Sequence, residues 1–402
     1  MHERHMRRAG LVGLALMTAA GLAACSPGSG AAPTTEPAAS GAEAGPRLAV
    51  SYEGGILVLD GTTLETLADV DSEEFTRLNA AGDGTHVLVT TSEGFQVLDT
   101  GAASGGTPEL TDLVFEADIA GHVVRHGGKT VLYADGTSDT TIFETADLAS
   151  AGDALPETET IPGVEAHHGV SVVLEDDTFL TTVGNADGRT GISVTDASGS
   201  VVATSADCPG VHGEGTAKGE AVVFGCEDGA LLYQDGEITK LAAPDQPYGR
   251  MGNAYVSETS PLVVGDYKND PDAEGYLLSQ VALIDTAAKT LEVVALPEGV
   301  EYTFRDIARG PGDLAYVLAS DGSIHVLDPA TGEITAEYPV IAAWDGPVQW
   351  QDPHPAIVVA GDVAYVTEPA VDAVHAVDLT TGEVLATTTL DVAPNEVAVA
   401  VG

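Results

Sequence analysis

The chain has 402 residues, of which 15 are Lys or Arg and 62 are Asp or Glu, giving a net charge of −47. A field of that sign and size excludes nucleic acid and anionic lipid surfaces as partners, because both repel it. It also concentrates cations near the protein.

Residues 1–24 are organised as an export signal. Arg4, Arg7 and Arg8 form a basic start, Ala9–Leu22 an apolar stretch, and Leu22-Ala23-Ala24 a small-residue cleavage site. The apolar stretch falls short of the roughly 20 residues of a membrane span. Cys25 follows directly, as in a bacterial lipobox, and is expected to carry the lipid anchor at the mature N-terminus. An ordinary signal peptide with an incidental Cys is the alternative. Residues 25–45 continue in Ser, Pro, Gly, Ala, Thr and Glu, a composition that buries no core and serves as a flexible tether. The expected product is a monomer outside the cytoplasm, lipid-anchored to the outer face of the cell membrane and touching that membrane through Cys25 only.

From residue 46 to 402 one pattern recurs. A short apolar strand and a turn lead into a strand that ends on an apolar-x-Asp step, often followed by Thr-Gly-Glu. Copies lie at Gly55–Asp60, Gly94–Asp99, Gly191–Asp196, Gly229–Asp235, Gln280–Asp285, Gly322–Glu333 and Asp372–Glu383, with a degenerate copy at Asp139–Thr145. They recur at intervals of roughly 40 to 54 residues, the period of a four-stranded propeller blade. Long periodic helices are absent, and the 47 glycines suit many tight turns. The spacing therefore predicts an all-β fold, a β-propeller of eight blades, with seven as the alternative count. Arg47–Asp60 supplies middle strands of a first blade that lacks its inner strand. Asn395–Val401 is an alternating strand without a partner, and it is expected to complete that blade and close the ring.

Two cysteines remain beyond Cys25. Residues 209–215 and 220–225 read as strands joined by a turn at Ala217-Lys218-Gly219, which sets Cys208 opposite Cys226 across a hairpin. In an oxidising compartment a disulfide is expected there.

Six of the eleven histidines fall in four short motifs. These are Gly121-His122-Val123-Val124-Arg125-His126, Ala166-His167-His168-Gly169, Cys208-Pro209-Gly210-Val211-His212-Gly213-Glu214 and Pro353-His354-Pro355. Aligned on the hairpin between first and second strands, these motifs place their imidazoles near the start of the inner strand of blades 3, 4, 5 and 8. Blades 3, 4 and 5 are consecutive, so His122, His167 or His168, and His212 can approach one another, while His354 must reach across the channel. Three imidazoles plus a carboxylate or water make a tetrahedral zinc site. His126 is carried by the same motif as His122, and Asp118 and Glu214 are the candidate carboxylates. The competing use of such histidines is to hydrogen-bond backbone carbonyls in strand-start turns. His86, His325 and His375 are expected to be structural. Asp270–Gly275 begins like a calcium loop but has Val281 where a bidentate Glu is needed, so an acidic turn is expected. Arg77, Arg250 and Arg305 recur near inner-strand starts. No Gly-x-Ser-x-Gly, His-Glu-x-x-His or phosphate loop occurs, which disfavours an enzyme.

The four histidine motifs, in this order on an exported propeller, resemble the AztD-type zinc metallochaperones, which accompany a zinc ABC transporter and its solute-binding protein. The resemblance extends from Arg47 to the C-terminus. It implies one or two zinc sites and direct transfer of Zn2+ to the solute-binding protein, without catalysis. A His-rich segment carried by many members has no counterpart in this chain. The alternative function is a lipid-anchored propeller that scaffolds other proteins without a specific metal.

Overall fold

The structure, a computed structural model, describes residues 44–402. The export signal, Cys25 and the tether up to residue 43 lie outside the described residues. Eight antiparallel sheets of four strands follow one another, the fifth with the short strand Gly249–Arg250 added in parallel to its third, so the chain is an eight-bladed β-propeller. The inner strands of blades 2 to 8 are Leu78–Ala80, Ala120–His126, Ser171–Val173, His212–Ala217, Ala254–Tyr255, Ile307–Arg309 and Ile357–Ala360. Blade 1 takes its inner strand, Val397–Ala400, from the other end of the chain.

That closure matches the expected one. Val397–Ala400 pairs antiparallel with Arg47–Val50, Arg47 facing Ala400 and Val50 facing Val397. The pairing continues past the strand, where Ser51 N–H donates to the Glu396 carbonyl and Asn395 N–H to the Ser51 carbonyl. A fully buried Arg47 meets Asp60 at 3.0 Å across the blade. Both strand edges that an open ring would expose are thereby used.

The recurring Asp also has a local cause. Where a third strand turns into the fourth, the Asp side chain accepts hydrogen bonds from the next backbone amides, as Asp378 does from Thr380 at 2.7 Å and Thr381 at 3.1 Å. Asp60, Asp285 and Asp328 hold the equivalent turns in the same way. Such a side chain imitates a backbone turn, and so it marks the repeat in sequence.

The core lies between the blades. Each apolar cluster joins neighbouring sheets, for example Leu48, Leu57 and Leu59 of blade 1 with Tyr365, Val374 and Ala376 of blade 8. Among the described residues, the helical segments are Thr145–Ser150 and two short turns, and no helix is long and apolar enough to cross a membrane.

Cys208 and Cys226 form a disulfide with Cα atoms 4.9 Å apart, although the expected hairpin register is not the reason. The strands are His212–Ala217 and Ala221–Cys226, with Ala217 facing Ala221 and His212 facing Gly225. Cys208 therefore precedes the ladder. It reaches Cys226 through a loop that folds back, Glu227 N–H donating to the Pro209 carbonyl and Cys208 N–H to that of Thr190.

Candidate metal centre

Three of the expected histidines come together. His122 sits within the inner strand of blade 3, His168 three residues before that of blade 4, and His212 at the start of that of blade 5. Their Nε2 atoms converge, 3.4 Å apart for His122 and His168 and 3.1 Å for His168 and His212. One ligand atom from each ring lies within 4.8 Å of the others, and no other such group of three His, Cys, Asp or Glu occurs among the described residues.

The backbone bends to achieve this. At both His122 and His212 the pairing of inner and second strands shifts register, a β-bulge that re-aims a side chain. Two glycines permit it. Gly213 has φ +54° and a Cβ there would lie 2.1 Å from the Gly252 carbonyl oxygen; a Cβ on Gly121 would lie 2.4 Å from Oδ1 of Asp135.

The far side of two rings is anchored. His168 Nδ1 donates to Oδ2 of Asp135 at 2.6 Å, and His212 Nδ1 donates to the Gly252 carbonyl at 2.6 Å. Neither acceptor can donate, so the proton of each neutral ring is on Nδ1 and its Nε2 carries a bare lone pair. Burial pushes the His122 imidazole well below its ordinary value, with the other two imidazoles, Arg77 and Arg189 acting the same way. Burial also takes His212 down to about 3, helped by Arg250, His168 and Arg189 and opposed by the bond to Gly252. Between His168 and His212, acceptor therefore faces acceptor at 3.1 Å, an arrangement that a cation stabilises.

The remaining expected site residues lie elsewhere. His167 turns away from its neighbour. Its Nδ1 donates to the Glu165 carbonyl at 2.8 Å and its Nε2 meets Tyr133 and Thr182 hydroxyls, both at 3.1 Å. His126, at the other end of the blade 3 strand, is bonded to Glu220. His354 is buried in blade 8 with Nδ1 donating to the Asp352 carbonyl at 2.7 Å and its ring against Phe304. Asp118 belongs to the turn before the blade 3 strand, beside Gly136. Glu214 points into the channel, where burial raises its carboxyl to about 7 against the pull of Arg125. With His122 and Arg77 it lines a cavity of about 300 Å³. His86, His325 and His375 are held by Asp83, Asp321 and Glu368, in keeping with structural roles. Asp270–Gly275 is an exposed turn.

Sequence reasoning passed over Asp135, because Tyr-Ala-Asp-Gly-Thr reads as an ordinary hairpin turn. It also passed over Arg189, which sits in a middle hairpin of blade 4, away from every inner-strand start. Gly252 contributes only a carbonyl, which leaves no signature in the side-chain pattern.

Comparison with known proteins agrees with the resemblance read from the histidine motifs. Over 283 residues, 68% of this chain, the sequence is 26% identical to the zinc chaperone AztD of Citrobacter koseri, and the match spans 63% of that protein's length. The structure of apo AztD from Citrobacter koseri superposes with a TM-score of 0.74 at 22% identity, covering 89% of this chain and 98% of that one. A crystal structure of Citrobacter koseri AztD gives 0.73 at 23% identity over the same shares. The dihydro-heme d1 dehydrogenase NirN in complex with DHE is a more distant likeness, with a TM-score of 0.57 at 14% identity over 91% and 78%. No family model matches the chain.

Proposed function

We propose that this chain, similar as it is to AztD, is an extracytoplasmic zinc metallochaperone, with Zn2+ as cargo. It holds the ion on Nε2 of His122, His168 and His212 at one mouth of the propeller channel and passes it to the solute-binding protein of a zinc ABC transporter. It performs no chemistry on the metal. Cys25 tethers the domain to the outer face of the cell membrane.

The convergence of three imidazole nitrogens, two of them left unprotonated by the bonds on the far side of their rings, carries the reading. Two ligands in a tetrahedral zinc site, each about 2.05 Å from the metal, lie about 3.3 Å apart, and two of the three pairs have separations of 3.4 and 3.1 Å. Asp135 and Gly252 supply the outer hydrogen bonds that orient zinc-binding histidines. Three protein ligands leave a fourth position open, through which a recipient can take over the ligands one at a time. The location suits handover as well, since His168 is exposed at the mouth while the blades behind it are packed sheet.

Zinc quantified in protein purified without added metal, followed by chelation and competitive titration, tests the reading. One tight site per chain is expected. His168→Ala and His212→Ala should each remove it without unfolding the propeller, and His325→Ala should leave it unchanged. Full affinity in both site variants would replace this reading with the scaffold alternative.

A further inference from the structure

Two arginines stand near the three histidines, beside the Asp135 carboxylate that holds His168. On a chain of net charge −47, Arg189 acts electrostatically on both His122 and His212, and Arg250 acts on His212. The two guanidiniums also repel each other, while Glu227 and Asp135 attract Arg189 from beyond ion-pairing distance. Their backbones explain the proximity. The Arg189 carbonyl accepts the Gly210 amide at 2.9 Å, two residues before His212. Arg250 precedes by two residues Gly252, whose carbonyl holds the His212 ring.

Neither guanidinium is engaged at close range. Among the described residues neither makes an ion pair or a side-chain hydrogen bond, and Nη1 of Arg189 is buried without a partner. The neighbouring arginines differ, since Arg77 and Arg305 both contact Oε1 of Glu396, at 3.1 and 2.8 Å. Two cations such as Arg189 and Arg250 beside a cation site weaken it, and Asp135, the carboxylate beside it, is already bonded to His168. A guanidinium favours a carboxylate, whose two oxygens it can engage, and zinc accepts a carboxylate oxygen as a fourth ligand.

We infer that Arg189 and Arg250 hold a carboxylate against the metal on His122, His168 and His212, so that the fourth ligand comes from outside the chain. The inference rests on the zinc reading above. Metal and carboxylate then bind cooperatively, each lowering the repulsion the other meets, and the coupling is reciprocal. The carboxylate belongs either to a small free acid or to an acidic side chain of a docked protein.

Co2+ is the probe, because its visible absorption reports the ligand set. Affinity of the full-length protein for Co2+ is measured alone, with acetate, and with a hexaglutamate peptide, the ions' own complexation being corrected for. Acetate or peptide should tighten Co2+ binding about tenfold, within the usual range of such couplings, and change the absorption band. An effect of acetate assigns a free acid; an effect of the peptide alone assigns a protein side chain. In the double variant Arg189→Gln, Arg250→Gln, Co2+ should bind more tightly than in the wild type without anion, and the anion effect should vanish. Binding indifferent to both anions, or weakened in the double variant, overturns this inference alone. No Co2+ binding by the wild type overturns the zinc reading and the inference together.

Discussion

Asp135 shows how much of the proposed metal site would rest on a residue that touches no metal. Its carboxylate fixes the proton of His168 on Nδ1 and accepts Gly169 N–H at 3.3 Å. Asp135→Asn keeps the shape but removes the charge that raises ligand basicity, so zinc affinity should fall roughly 10- to 100-fold, read by competition with a chromophoric chelator. An unchanged affinity would make Asp135 a spectator. The pH response follows from the depressed imidazoles. A histidine of ordinary pKa, about 6.5, loses its lone pair to protons below that value. His122 and His212 are held lower, so they stay neutral as pH falls through 6.5, and zinc binding should persist to lower pH than free imidazole would allow. A loss of affinity centred on pH 6.5 with one proton taken up per ring would contradict this. In the metal-free protein the sign is the opposite for folding. The unfolded chain takes up protons at these rings below pH 6.5 while the native state does not, so their contribution to stability declines as pH drops from 6.5 toward about 3. His122, His168 and His212 were legible as candidates, whereas His354, set at the same level by the motif alignment, lies buried in blade 8. Which of His167 and His168 faces the other two rings was not legible, because that choice depends on Asp135, Tyr133 and Thr182, residues of other strands.

At the scale of strands and turns, register is the quantity that sequence spacing conveys least well. Counting residues placed the blade 5 turn too early, since one bulge beside His212 and a folded-back loop at Cys208 shift the ladder. The bridge forms nonetheless, because the loop delivers what the ladder would have. It closes a separation of 18 residues, for which the restriction of the unfolded chain corresponds to about 3 kcal/mol. A Cys208→Ala, Cys226→Ala double variant should therefore unfold at a denaturant concentration corresponding to a stability lower by about that amount. Equal midpoints for the variant and the oxidised wild type would count against it. The same loop carries Val211 into His212, so the variant's zinc affinity separates a brace for the fold from a brace for the site. Blade identity, by contrast, was readable throughout, since Asp60, Asp285, Asp328 and Asp378 each stabilise a turn through contacts within a few residues.

The whole ring depends on a strand from its far end. Removing residues 395–402 would strip Arg47–Val50 of its partner and take away Glu396, which ties Arg77 and Arg305 together. The shortened chain should melt at lower temperature and self-associate through the bared edge, visible by thermal unfolding and size-exclusion chromatography. An unaltered midpoint and elution volume would show that the closure is dispensable. The alternation of Asn395–Val401 made this joint legible because both partners are exposed in the linear pattern as strands without mates. The mouth was less so, since Arg250 recurs near an inner-strand start but Arg189 comes from a middle hairpin that lacks that spacing. One consequence concerns the three blades that share the histidines. Successive ligands are 46 and 44 residues apart in the chain, so no short peptide contains the site and only the assembled ring can grip the ion. A zinc ion held there would act as a rivet through blades 3, 4 and 5. At a hundred times its dissociation constant it would add about 2.7 kcal/mol to the fold. Loaded and empty molecules would then differ in durability as well as in cargo, and proteases outside the cytoplasm would tell them apart.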